Sequence, residues 1–469
     1  MNFIRKPIYV QQLSSIPMSE KSVCPLDFRY GHVDMKSIFS DENKLRCLLQ
    51  VEAALARAHA KLGTIPGSAA KEISKKACDG SVKPARVAAI ESEIKHDIMA
   101  VVKGLTEQCS PEAGRYVHLG ATSNDIIDTA TAIQIKQALD IIEQDVKDVT
   151  HVLAELAHKH RDSVMVGRTH GQWAIPTTFG LKMAVYALEM VRHLERLHEM
   201  RPRVCIGKML GAVGTGAAFG KNALKVQALV MADLGLETPI ATTQILQRDR
   251  YAEMAFHLAN IASSLEKFAT EVRNLQRREI GEVSEFFDAK KQVGSSTMAQ
   301  KRNPITSENI CGLARVVRGL LITSFENIPT WHERDLTNSS AERFTIPHAY
   351  VLTDHLLRNT VQVFKGLHVD KSRMLHNLSL AKGEIMAEPI MMALTGKGMG
   401  RQEAHELVRQ LSMKASTSGK DLTDLLKADK KVKRSLSAKE VDAATDPRNY
   451  IGVAGEVVDT AVKMCRAIK

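Results

Sequence analysis

Apolar residues recur along the middle of the chain at alternating intervals of four and three. Ile135, Leu139, Ile142, Val146, Val149, Leu153 and Leu156 form one series, and Met254, Leu258, Ile261, Leu265, Phe268, Val272 and Leu275 a second. A third, Leu181, Val185, Leu188, Val191, Leu194 and Leu197, is helical but looser. An apolar period of about 3.5 residues demands neighbours of the same kind, because one helix cannot bury that seam alone. The pattern predicts an all-α protein whose centre is a bundle of long helices. No alternating run is long enough to predict a major sheet. Three helical domains are expected. Residues 1–118 hold shorter helices, including one around Asp41–Leu62 with Asp41 as N-cap. Residues 119–370 form the long-helix bundle. Residues 371–469 form a smaller helical domain, entered near Asp370 and closed by Asp446-Pro447. The lysine- and serine-rich stretch Lys427–Lys439 reads as a mobile surface segment.

Composition adjusts this picture in three places. Only 4% of the 469 residues are aromatic, too few to fill a large single-chain core. Part of the seam is therefore expected to be buried between subunits, in a multi-subunit helical core. The formal charge is +11, but the basic residues are interleaved with acids along helical segments. A solvated surface fits that pattern better than a nucleic-acid platform, although the excess would help draw in a polyanionic metabolite. The seven cysteines are far apart and include no C-x-x-C, which favours reduced thiols in a cytoplasmic protein over disulfides or a zinc site. No apolar run reaches membrane-spanning length. Met1–Ser22 lacks an apolar signal core and reads as a short extension.

The chemistry concentrates in Gly294-Ser-Ser-Thr-Met-Ala-Gln-Lys301-Arg302-Asn303-Pro304, with Glu308 four residues on. Paired hydroxyls beside a glycine, then a cation, an amide and a carboxylate, suit a flexible lid. Such a lid brings a serine oxygen to a carbon acid while the cation and amide hold the adjacent carboxylate. His170 sits in Gly167-Arg-Thr-His-Gly-Gln172, ahead of a long helix. An imidazole titrates near neutrality and can pass a proton there; taken alone, it reads more readily as a structural histidine. His118-Leu-Gly-Ala-Thr122-Ser123-Asn-Asp125 places hydroxyls at a helix start, either as caps or as a carboxylate or phosphate site. Gly211-Ala-Val-Gly-Thr-Gly216 follows no strand and has no Walker lysine, so it reads as a turn and not as a nucleotide loop. No metal-ligand cluster or cofactor motif is visible.

The 294–304 stretch resembles the signature loop of the fumarase/aspartase superfamily. Arg29-Tyr30, Lys95-His96-Asp97, Gln244, Gln247-Arg248-Asp249-Arg250, Trp331 to Arg343 and Arg401 to Glu406 narrow the resemblance to the adenylosuccinate lyase family, from about Pro25 to Gly452. The resemblance implies β-elimination of fumarate from adenylosuccinate, giving AMP, and from the succinyl-carboxamide ribotide of purine synthesis, with no cofactor. It implies Ser295 as the base, preferred over Ser296 by its spacing to Lys301, and His170 as the acid. Lys301 and Asn303 would hold the succinyl carboxylates. Glu308 and His96, beside Asp97, would orient partners, and Thr122, Ser123 and Gln244 would line the succinyl end. Arg29, Tyr30, Arg334, Ser339 and Arg343 would take the phosphate and ribose. It also implies a homotetramer with sites shared between subunits, and neither nucleic-acid nor membrane partners. Argininosuccinate lyase and carboxymuconate cycloisomerase substrates carry no phosphate, so the Arg334–Arg343 cluster argues against both. A silent helical scaffold would have no need of Ser295, His170 and Lys301. One departure is Ala299-Gln300, where the superfamily usually has proline. It predicts a lid with more freedom when empty.

Overall fold

The computed structural model describes residues 23–468 apart from Ala289, Lys291 and Ala299. The expectations for Met1–Ser22 and for Ala299 therefore lie outside the described residues. Among those residues there are twenty α-helices and only four short strands. The architecture is all-α and multi-domain. Seven helices matter for the site: α1 (Asp41–Lys61), α2 (Asp97–Thr106), α3 (Ser123–Lys159), α4 (Phe179–Val204), α5 (Asp249–Leu275), α6 (Ile305–Glu326) and α7 (Thr337–Lys365).

The chain forms two compact units. One comprises residues 1–142, 200–259 and 316–355; the other comprises 143–199, 260–315 and 356–469. In the first, α1 starts one residue earlier than an Asp41 cap would give, because Ser40 is its cap and its Oγ accepts from the Asn43 amide at 3.2 Å. The glycine-rich 211–216 segment is a turn, as expected. Gly214 has a φ of 82°, and an added Cβ would overlap the Thr242 carbonyl, so only glycine fits.

In the second unit, α4 and α5 are joined by stacked Tyr186 and Phe268 rings, 4.3 Å apart, and by His193 Nε2 against Ser264 Oγ at 2.8 Å. Lys182 adds an ion pair to Glu271 at 2.7 Å. A further apolar cluster, from Ile390 through Leu407, Leu411 and Leu426 to Val441, is a core of its own. The lysine-rich stretch is not a featureless surface segment. It folds into helices Lys430–Ser435 and Ala438–Thr445, capped by Asp429 and by a Ser437–Glu440 capping box.

Every residue of the two strict apolar series is buried within the chain, none more than 8% exposed. These two series leave no side chain over for a neighbouring subunit. Leucine, isoleucine, methionine and alanine fill the core without many rings. The looser α4 series is only partly inside: Leu194 and Leu197 are buried, while Val185 is 52% exposed. The buried face of α4 is instead Met183, Ala187, Met190, Leu194 and Leu197.

Candidate active site

In the unit built around the start of α3, Asp125 is fully buried and collects four donors. These are the Thr122 amide at 2.9 Å, the Leu210 and Gly211 amides at 3.1 and 3.0 Å, and the Lys208 ammonium. One carboxylate thus ties the hydroxyl pair Thr122-Ser123 to the glycine turn. One helical turn on, Asp128 accepts both terminal nitrogens of Arg248 at 2.9 and 3.0 Å and the Leu246 amide at 2.8 Å. Arg248 also reaches Glu342 on α7 at 2.8 and 3.2 Å. Burial opposes the Arg248 charge, yet Asp128, Tyr251 and Glu342 outweigh it and push its pKa upward. This arginine is structural, so the Gln247–Arg250 stretch contributes a brace and not a free phosphate donor.

The brace positions predicted site residues. Arg334 Nη1 donates to Gln244 Oε1 at 2.8 Å. With the Asn124 amide oxygen facing the guanidinium, it accepts from Arg334 Nε and Nη1, both at 3.0 Å. The structure therefore brings together Arg334, Gln244 and the Thr122–Asn124 corner. Lys95-His96-Asp97 is a junction and not mid-helix. Lys95 is left-handed at the end of one helix, and His96 caps α2 through Nδ1, 3.4 Å from the Met99 amide. Arg343 stands 3.8 Å from Asp97. Arg29 lies over the Tyr30 ring at 5.9 Å, and that ring is 5.5 Å from the ring of His355. Ser339 is half-buried in the first turn of α7.

In the other unit, His170 does not lead directly into a helix. Strands β1 (Val164–Thr169) and β2 (Gln172–Thr178) pair antiparallel, and His170-Gly171 is the two-residue loop between them. Both loop residues have positive φ, 53° and 75°, as in the hairpin turns whose twist matches the strands. The imidazole is exposed at the tip. The arm is fixed at its root by Arg168, which donates to the buried Glu282 at 2.8 and 3.0 Å, and Asn377 adds a third donor at 2.8 Å.

The signature loop frames an open cleft of about 720 Å³, lined by Lys301, Asn303 and Glu308 and by Arg273, Arg277, Arg278 and Arg302. Asn303 Nδ2 donates to the Gly294 carbonyl at 3.3 Å, closing the loop on itself. Ser295 is half-buried, and its Oγ accepts from the Thr297 and Met298 amides at 3.3 and 3.1 Å. Two amide donors on a serine oxygen favour accumulation of negative charge there, the direction a base needs. Ser296 is exposed, and among the described residues its Oγ has one hydrogen-bond partner, Thr297 Oγ1 at 3.4 Å. Glu285 anchors the far side of the loop by accepting from the Thr306 and Ser307 amides at 3.3 and 2.7 Å.

Asp125, Asp128, Glu282 and Asn377 carry no loop signature and were not singled out as site residues. The acids at 125 and 128, three apart on an otherwise apolar helix face, are the one sequence signal that could have found a pair of them.

A long-helix bundle that carries a hydroxyl-rich loop beside a cationic cleft defines a lyase. Residues 29–319 match the family described as Lyase, and residues 383–461 the one described as Adenylosuccinate lyase C-terminus. The adenylosuccinate lyase of Pyrococcus abyssi is 54% identical over 94% of this chain and 97% of its own length. That of Methanocaldococcus jannaschii is 50% identical over 94% and 96%. Among solved structures, a fumarate lyase from Mesorhizobium superposes with a TM-score of 0.85 at 34% identity, covering 92% of this chain and 98% of the other. The 3-carboxy-cis,cis-muconate lactonizing enzyme of Pseudomonas putida does so at 0.85 and 36%, covering 93% and 98%. The chain belongs to the adenylosuccinate lyase family of the fumarase/aspartase superfamily.

Proposed function

We propose that the protein eliminates fumarate from adenylosuccinate, leaving AMP, and performs the same cleavage on the succinyl-carboxamide ribotide of purine synthesis. One observation carries this reading: five basic side chains, four amides and one carboxylate line a single cleft at the root of the Ser295 loop. That lining suits the two carboxylates of a succinyl group. Ser295 Oγ takes the proton from the succinyl carbon. The electron pair left on that carbon delocalises into its carboxylate, where Lys301 and Asn303 stabilise it. The carbon–nitrogen bond then breaks, and His170 returns a proton to the departing nitrogen. Glu308 orients these groups. Thr122, Ser123 and Gln244 line the succinyl end, while Arg29, Tyr30, Arg334, Ser339 and Arg343, with His96 and Asp97 nearby, take the ribose and phosphate.

The carboxymuconate substrate of the structural relatives carries no phosphate, which leaves the arginines of 334–343 without purpose in that reaction. We further infer a cytoplasmic homotetramer in which each site draws on more than one copy of the chain. The division near residues 118 and 370 remains our reading of the domain organisation, supported by the separate core of residues 390–441.

The test is absorbance-monitored cleavage of adenylosuccinate, with AMP and fumarate identified as products. Loss of a general base costs on the order of 10²- to 10⁴-fold, and Ser295→Ala should fall in that range while Ser296→Ala stays within about threefold. A folded wild type without turnover would refute the substrate. A fully active Ser295→Ala would refute the base.

A further inference from the structure

Helix α1 carries two titratable side chains seven residues apart, Glu52 and His59, and both are buried, at 1% and 3% exposed. Each grips the segment that leads into Thr122 and Ser123. Glu52 Oε1 lies 2.7 Å from His118 Nδ1, and His59 Nε2 lies 2.9 Å from the Leu119 carbonyl oxygen. Phe219 packs beside them. Its ring is 5.7 Å from that of His59 and stands 2.8 Å from where a Cβ on Gly120 would be. His118 itself has a φ of 64°, a left-handed conformation that a side-chain-bearing residue keeps only where its surroundings enforce it.

We propose that Glu52 is a positioning residue for the reaction: its buried carboxylate fixes the tautomer and charge of His118, and through it the hydroxyl corner that receives the anionic substrate. The inference rests on the function proposed above. An ionised carboxylate only accepts, so Nδ1 must carry the hydrogen. Proton gain and loss are thereby assigned to Nε2, which makes no hydrogen bond among the described residues. Glu52 Oε2 has no partner among them either, so the carboxylate charge is answered through His118 alone.

The groups around the imidazole agree with this role. Burial pulls the His118 pKa down, but the hydrogen bond and charge of Glu52 and the charge of Asp125 outweigh it, and the net direction is upward. From α1, burial pulls the His59 pKa down and favours its neutral form, although the bond to the Leu119 carbonyl acts the other way. From α3, Asp125 is paired with Lys208. A raised histidine keeps its proton below its folded pKa and loses it as pH rises through that value. An imidazolium in the segment leading into Thr122 and Ser123 favours binding of the anionic substrate, the raised pKa extends that to higher pH, and Glu52 should act on KM more than on kcat.

Glu52→Gln preserves shape and an acceptor for Nδ1 but removes the charge. Steady-state kinetics of the whole enzyme across pH should show the alkaline fall of kcat/KM moved to lower pH by about one unit, the order of a single paired charge. On that alkaline limb KM should rise roughly tenfold with kcat within about threefold, and Glu52→Asp should restore part of the difference. An unshifted pH profile, or an equal loss at every pH together with a lower melting temperature, would overturn the proposal and leave Glu52 a purely structural residue. NMR titration of ring-labelled histidine reads the same coupling without substrate. The His118 signal, assigned by its loss in His118→Gln, should titrate at lower pH in Glu52→Gln. If wild type does not cleave adenylosuccinate, the function reading fails while this titration still decides the coupling; an unmoved His118 signal sinks it.

Discussion

Arg248 is 4% exposed and stands between Asp128 and Glu342. Removing one partner from a buried charge network leaves the others uncompensated, at a cost of about 3–5 kcal/mol. Arg248→Met should show that loss in urea unfolding. Arg343→Met is the contrasting change. Arg343 is exposed and 3.8 Å from Asp97, so its loss should leave stability within about 0.5 kcal/mol while weakening substrate binding. In sequence, both arginines read alike, as cations in polar motifs. Only the tertiary environment separates a brace from a ligand-facing group, which is why neither the Asp128–Arg248–Glu342 network nor the Arg334–Gln244 hydrogen bond was legible in the motifs. The same holds for His118, whose motif was visible but whose partner Glu52 lies 66 residues away.

At the scale of elements, the two strict heptad series were readable because their period persists over the length of α3 and α5, and burial follows that period residue by residue. The hairpin that carries His170 was missed for a physical reason. Register shifts between Val166 and Arg168, and an irregularity there breaks the two-residue alternation by which a strand is recognised. Gly167 sits at that point, with the Ile175 carbonyl oxygen 2.5 Å from where its Cβ would be. The signature loop shows a comparable constraint. A Cβ on Gly294 would overlap the Lys301 carbonyl oxygen, so Gly294→Ala must push apart the two ends of the loop that hold Ser295 and Lys301. Since misplacement by about 1 Å can cost on the order of 10²-fold, kcat/KM should drop by about that factor. Thermal melting should be nearly unchanged, because the loop is largely exposed. A parallel fall in both quantities would place Gly294 in the stability of the fold instead.

At the scale of the molecule, apolar side chains that the chain does not cover itself lie on α4 and α6. Val185 is 52%, Val316 47%, Ile322 63% and Phe325 47% exposed. They support the homotetramer we propose, and sedimentation equilibrium should give a mass near four times 51.7 kDa. A monomeric mass with full activity would contradict shared sites. Each compact unit, moreover, is assembled from three stretches separated in sequence, the first finishing at residue 355 and the second at residue 469. At ribosomal rates of about 5–20 residues per second, the first unit waits roughly 10 to 40 s between the end of α3 and its last segment. For that interval the part of α3 that belongs to this unit is already synthesised, while residues 316–355 that complete the unit are not. The nascent protein is thus a client for holding chaperones until translation is nearly done, and a truncated message should yield aggregate instead of a smaller folded enzyme.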